Sequence, residues 1–79
     1  LAVTNIEERL YKVLCNVAKE HGEKRPQGVM IQFPLTHEDL SFLIGTHRVT
    51  VTRAMKALKE TGKIILENRR LILPFLTTS

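Results

Sequence analysis

The chain has a single cysteine, Cys15, which excludes an internal disulfide and a zinc site of the C-x-x-C kind. That fits a reducing, cytoplasmic setting, where disulfides rarely persist. No apolar run comes near the roughly 20 residues that a membrane-spanning helix needs. Residues 1–10 also lack the charged-then-apolar order of a signal peptide. There is no glycine-rich phosphate loop, no Ser/His/Asp set and no metal-ligand spacing. His21, His37 and His47 are scattered, and the adjacent Glu38 and Asp39 would point about 100° apart on a helix instead of flanking a substrate. An enzyme, a metal site and a cofactor held by these residues are therefore not expected.

With 79 residues the chain is enough for one domain, and a domain this short buries only about 60% of the surface its unfolded form exposes, so its core is small. The start at Leu1 without a methionine suggests a piece of a longer protein. Hydrophobic residues at 43% and charged residues at 25% are ordinary for a globular domain. The charge is not evenly spread. Residues 1–45 carry five basic and six acidic side chains. Residues 46–79 carry seven basic ones (Arg48, Arg53, Lys56, Lys59, Lys63, Arg69, Arg70) against Glu60 and Glu67. Basic charge gathered in one part of a chain is the footprint of a polyanionic partner.

Thr4 followed by Glu7 has the pattern of a capping box. From there Ile6, Leu10, Val13, Leu14 and Val17 recur at helical spacing, and Gly22 is a natural stop, which predicts a helix over residues 5–21. Cys15 falls outside that stripe and is expected to be at least partly exposed. Residues 22–28 are polar and read as a loop, after which Val29, Ile31 and Phe33 alternate as a short strand ended by Pro34. Thr36, with Asp39 three residues on, begins a second helix with Leu40, Leu43 and Ile44 facing inward and Phe42 outward. Gly45 breaks it, and Thr46 is expected to cap a third helix whose inward face is Val51, Ala54, Met55 and Leu58 and whose stop is Gly62. Two helices joined by a short glycine turn are the helix-turn-helix signature. Strands Ile64–Glu67 and Arg70–Leu73, joined at Asn68-Arg69, complete a basic hairpin. The expected fold is α+β: a winged helix-turn-helix over residues 1–79, with three main helices and a small antiparallel β wing.

On such a fold the third helix enters the major groove of DNA by its N-terminal half. Val49, Thr52, Arg53 and Lys56 stand opposite its apolar face, with Arg48 on the first turn. Arginine bonds the O6 and N7 acceptors of guanine, and threonine or valine methyls pack on the methyl of thymine. Arg48, Val49, Thr52 and Arg53 are thus the expected base readers. Phosphate contacts are expected from Thr36, Thr46, His47 and Thr50, at or near helix N-termini where free N–H groups favour an anion. Further phosphate contacts are expected from Lys56 and from Lys63, Arg69 and Arg70 around the wing.

The stretch Leu35 to Ile65, LTHEDLSFLIGTHRVTVTRAMKALKETGKII, resembles the helix-turn-helix of the cyclic-AMP receptor protein and fumarate/nitrate regulator (Crp/Fnr) family. The resemblance rests on the Leu-Thr opening, the Ile-Gly turn, the Arg-x-Thr-Val-x-Arg core and the Leu-Lys-x-x-Gly-x-Ile exit. It implies a bacterial regulator acting as a homodimer on a palindromic DNA site, with an N-terminal sensory domain that this chain does not contain and whose effector the sequence does not name. It implies base reading by Arg48, Val49 and Arg53, with Thr52 a further reader in some branches. It also implies phosphate contacts from Thr36, Thr46, His47 and Thr50. Many members have glutamate where this chain has Val49; valine cannot accept from cytosine N4, so the bound sequence should differ. The string from Arg48 to Arg53 looks closest to the nitrogen-control branch. In activators of the family the loop after the first helix resembles a surface that recruits RNA polymerase, which singles out Glu23, Lys24 and Arg25 here. The competing expectation is a winged helix used for protein–protein contact, which Phe42 on the second helix would favour.

Overall fold

The computed structural model describes residues 5–76. Helix α1 (Ile6–His21) is followed by strands β1 (Gly22–Arg25) and β2 (Gly28–Ile31), helices α2 (His37–Ile44) and α3 (Arg48–Glu60), and strands β3 (Ile65–Glu67) and β4 (Arg70–Leu73). All strand pairs are antiparallel, in the order β1-β2-β4-β3. The β3–β4 hairpin is therefore one edge of a four-stranded sheet, and β1 is the opposite edge. Three helices and this sheet make the α+β winged helix-turn-helix.

Helices α1 and α2 owe their starts to different local devices. The Thr4 cap lies outside the described residues; Asn5 holds the N-cap of α1, its side-chain oxygen accepting from the Glu7 N–H at 2.7 Å. At α2 the capping box is complete. Thr36 Oγ1 accepts from the Asp39 N–H and the Asp39 carboxylate accepts from the Thr36 N–H, both at 3.0 Å. Gly45 then takes the left-handed conformation, φ 68°, and turns the chain from α2 into α3. The Arg9 guanidinium donates to the Ile44 carbonyl, fastening α1 to the C-terminal end of α2 where a cation opposes the helix dipole.

The core is one cluster. Leu10, Leu14 and Ala18 of α1 meet Leu40 and Ile44 of α2, Val51, Ala54, Met55 and Leu58 of α3, and Val29, Ile31, Leu71 and Leu73 of the sheet. Ile64, expected in β3, precedes the strand and is buried as a core residue. The buried line of α1 runs through Leu10, Leu14 and Ala18, with Val13 and Val17 on one flank and Tyr11 and Cys15 on the other. The apolar face is thus wider than the expected stripe, and Cys15 is half-buried.

Three expectations need correction. Residues 22–28 are not a loop: Gly22–Arg25 pair with Gly28–Ile31 as a hairpin around Pro26-Gln27. Three of the four β1 side chains face solvent, so the strand is held by ladder hydrogen bonds and carries no apolar alternation to betray it. Leu43 does not face inward; it is 54% exposed, because with Leu40 and Ile44 in the core the third inward place on this two-turn helix goes to Ser41. The Ser41 hydroxyl is satisfied there by donating to the Glu38 carbonyl at 2.6 Å. Phe33, expected within the strand, lies beyond its end at Ile31 and is exposed.

Gly28 and Gly45 allow a comparison of two causes of glycine dependence. At Gly28, φ is 145° and a Cβ would strike the Leu73 carbonyl and Pro74 across the β2–β4 ladder. At Gly45, φ is 68° and a Cβ would meet nothing. Gly45→Ala should therefore cost about 1–2 kcal/mol, the left-handed penalty alone. Gly28→Ala should cost more and lower the midpoint of urea unfolding further. Equal midpoints for the two variants would contradict this packing of β2 on β4.

Candidate nucleic-acid interface

Helix α3 buries Val51, Ala54, Met55 and Leu58, and the same periodicity turns Val49, Thr52, Arg53 and Lys56 to solvent. Val49 is 64% exposed, an apolar side chain left largely to solvent. The start of α3 differs from the starts of α1 and α2. Those carry side-chain caps and two acidic residues each in the first turn, Glu7 with Glu8 and Glu38 with Asp39. Helix α3 has neither: its N-cap is His47, which makes no side-chain cap bond, and its first turn holds no acid. Thr46, expected as the cap, sits one residue too early to reach the first-turn N–H groups, and is half-buried. The positive end of this helix dipole, with Arg48 beside it, is thus left for an anion.

Helix α2 meets this face at one point. The His37 Nδ1 lies 2.8 Å from Thr52 Oγ1, and the Thr52 hydroxyl also donates to the Arg48 carbonyl at 3.1 Å. His37, which follows the Thr36 cap, was not among the expected interface residues; a histidine at the start of a helix has no periodic signal that would mark it. It lies in a groove of about 440 Å³ between α2, α3 and the wing, lined in part by Thr36, Met55, Lys59, Leu66 and Arg69. Burial, and then the nearby charges of Lys59 and Arg48, hold its pKa below the ordinary value. Asp39 is also held below the ordinary carboxylate value, by the Thr36 backbone N–H and then its side chain.

The wing turns at Asn68 and Arg69, both with positive φ (50° and 65°), as a two-residue hairpin of the I′ kind demands. Arg69 is exposed at its tip. Arg70 is half-buried and donates to the Gln32 carbonyl, and the Lys63 ammonium stands 5.4 Å from the centre of the Tyr11 ring, against α1. Arg48, Val49, Thr52, Arg53 and Lys56 thus share one exposed helix face, with Thr50 half-buried on α3, His37 joined to the face through Thr52, and Thr36 next to His37 as the cap of α2. Glu23 and Arg25 form an ion pair at 2.7 Å and, with Lys24, occupy β1, the far edge of the sheet from β3.

A helix pair bent at a glycine, an exposed cationic helix face and a flanking hairpin define a DNA-binding domain of the winged helix-turn-helix class. Residues 8–75 match the Crp-like helix-turn-helix domain, and the chain belongs to that family. The global nitrogen regulator of Synechococcus elongatus is 32% identical over 71 residues, covering 90% of this chain and 32% of that protein. Among solved structures, the CO-dependent transcription factor CooA from Carboxydothermus hydrogenoformans is 30% identical, with a TM-score of 0.76 over 89% of this chain and 33% of that one. Reduced CprK without ligand shares the fold at a TM-score of 0.76 and 19% identity, covering 95% of this chain and 36% of its own. The chain spans about a third of the length of these relatives.

The environment of His37 sets a pH dependence. Its folded pKa lies below the ordinary 6.5, so the unfolded chain takes up the proton first as pH falls. Its contribution to stability is complete above about pH 6.5 and is lost as pH drops through the lowered folded value. Thermal melts between pH 7.5 and 5 should show a smaller loss of stability in His37→Asn than in the parent. Parallel curves would mean that His37 is not held neutral by its surroundings.

Proposed function

We propose that this domain binds duplex DNA by inserting the N-terminal half of α3 into the major groove. Arg48 and Arg53 would read guanine edges, and Val49 and Thr52 apolar base edges. The observation that carries the reading is the first turn of α3: it is the one helix start among the three that is uncapped and without acids, and the exposed Val49–Thr52–Arg53–Lys56 face runs on from it. Thr36, Thr46, His47, Thr50, Lys56 and Arg69 would hold phosphates. Lys63 and Arg70 would join them only by giving up their contacts with Tyr11 and the Gln32 carbonyl. Phe42, 79% exposed, belongs to α2 and leaves the cationic face of α3 intact, which favours DNA over a purely protein-binding role.

The relatives' names extend the reading. A global nitrogen regulator and a CO-dependent transcription factor are regulators about three times this chain's length, so the domain would act in a homodimeric transcription regulator on a palindromic site, without catalysis of its own. Its exposed β1 residues Glu23, Lys24 and Arg25 would be the surface offered to RNA polymerase. They lie at the opposite sheet edge from the wing, where a third partner is not blocked by DNA.

Fluorescence titration on duplex DNA tests the central reading. Affinity should fall steeply from low to moderate salt, because bound cations release counterions. Arg53→Ala should cost about 1–3 kcal/mol on the preferred sequence and relax the preference. Arg69→Ala should weaken all sequences alike. Salt-independent binding, or a uniform loss for Arg53→Ala, would overturn the assignment of α3 as the reading helix.

A further inference from the structure

Threonine in a helix divides its time between rotamers, because its hydroxyl can turn back to the carbonyl one turn earlier or away from it. Thr52 is not free to do so. Its hydroxyl proton goes to the Arg48 carbonyl at 3.1 Å, and His37 Nδ1 approaches the same oxygen at 2.8 Å. A hydroxyl has one proton to give, so the two contacts are both hydrogen bonds only when His37 donates from Nδ1–H. The ring stands at the first position of α2, within the Thr36–Asp39 capping box that sets the backbone there, in the groove lined by Met55, Lys59 and Leu66.

This pairing has a consequence for DNA reading. The major-groove groups that a threonine hydroxyl would approach as donor are N7 of the purines, O6 of guanine and O4 of thymine. Whether that proton goes to the Arg48 carbonyl or to His37 Nδ1, Thr52 has none to offer them. The other branch on Cβ, the Cγ2 methyl, has no such commitment, and Thr52 is exposed between Val49 and Arg53 on the outward face. The base-edge group that a methyl recognises is the 5-methyl of thymine.

We propose that His37 is a specificity-determining positioning residue, which engages the Thr52 hydroxyl from α2 and so makes the Thr52 methyl the reading group for a thymine. The inference rests on α3 being the reading helix and adds what one of its positions reads and which residue outside α3 sets it. His37 touches no base in this arrangement. It acts by holding one rotamer.

The test uses this chain and a duplex selected by it from a random pool. Each thymine of the selected half-site is replaced in turn by deoxyuridine, which lacks only the 5-methyl, and affinity is read by fluorescence anisotropy at low salt. At one thymine the replacement should weaken binding about fourfold, the worth of one buried methyl-sized group. Thr52→Ser, which removes the methyl, should abolish the difference at that position alone. His37→Ala should shrink it toward unity, whereas His37→Asn, which keeps a donor, should preserve it. Thr52→Val carries a methyl on both branches and needs no partner, so adding His37→Ala to it should change nothing. Circular dichroism of each variant confirms the fold independently of DNA. A duplex preference that survives with no thymine sensitive to Thr52→Ser, or with discrimination unchanged in His37→Ala, overturns this inference and leaves α3 as the reading helix. Failure to select any sequence overturns both.

Discussion

Helix α3 can expose only the face that the core does not take, and its packing against α1 and α2 decides which face that is. Val51, Ala54, Met55 and Leu58 fill places among Leu10, Leu14, Leu40 and Ile44. Turning the helix by one residue would carry Thr52, Lys56 and Lys59 toward that cluster and bring Val51 and Leu58 out. An unpaired buried charge costs several kcal/mol, and each large apolar side chain returned to water forfeits roughly 1.5–3 kcal/mol more. In a domain whose whole stability is about 5 kcal/mol, no such rotation is tolerated. The direction of Arg53 is therefore a property of the core before it is a property of the surface.

The features that depend on periodicity or on a single residue's chemistry were legible in the sequence. The inward face of α3, the Thr36–Asp39 cap, the Gly45 turn and the Asn68-Arg69 hairpin each announce themselves by spacing or residue type. What depends on pairing between distant segments was not. Strand β1 has exposed, polar side chains, and only its register with β2 makes it a strand. Leu43 was placed inward by its apolar character, but with Leu40 and Ile44 already in the core, an eight-residue helix spared its next inward place to Ser41, which bonds its own backbone. The expected interface was legible as a helix face, from Val49 to Lys56. The link from His37 joins residues 15 positions apart on two helices, and no local pattern encodes it.

The three helix starts show how the same local rule serves two ends. Capping and first-turn acids stabilise α1 and α2, and omitting both at α3 forgoes a contribution of about 1 kcal/mol or more. The loss is bearable because α3 is the helix held from both sides, by α1 and by α2. Its tertiary packing replaces what its ends do not supply. An uncapped start on a poorly packed helix would fray; on this one it leaves ordered N–H groups beside Arg48, with no carboxylate to compete with a phosphate.

The same selectivity applies to the basic residues of the C-terminal part. Seven of them gather there in the sequence, yet they are not equivalent in the fold. Arg70 is drawn to the Gln32 carbonyl, Lys63 to the Tyr11 ring, and Lys59 lines the groove beside His37. Arg48, Arg53 and Lys56 on α3 remain as exposed cations with no such engagement, Arg69 edges the same groove from its exposed place at the wing tip, and all four lie on the helix or the hairpin that the core aims outward. Counterion release counts the phosphates actually neutralised, so a charge tally over the sequence overstates what one domain can contribute. The excess positive charge identifies the class of partner, and the packing decides how much of that charge the partner meets.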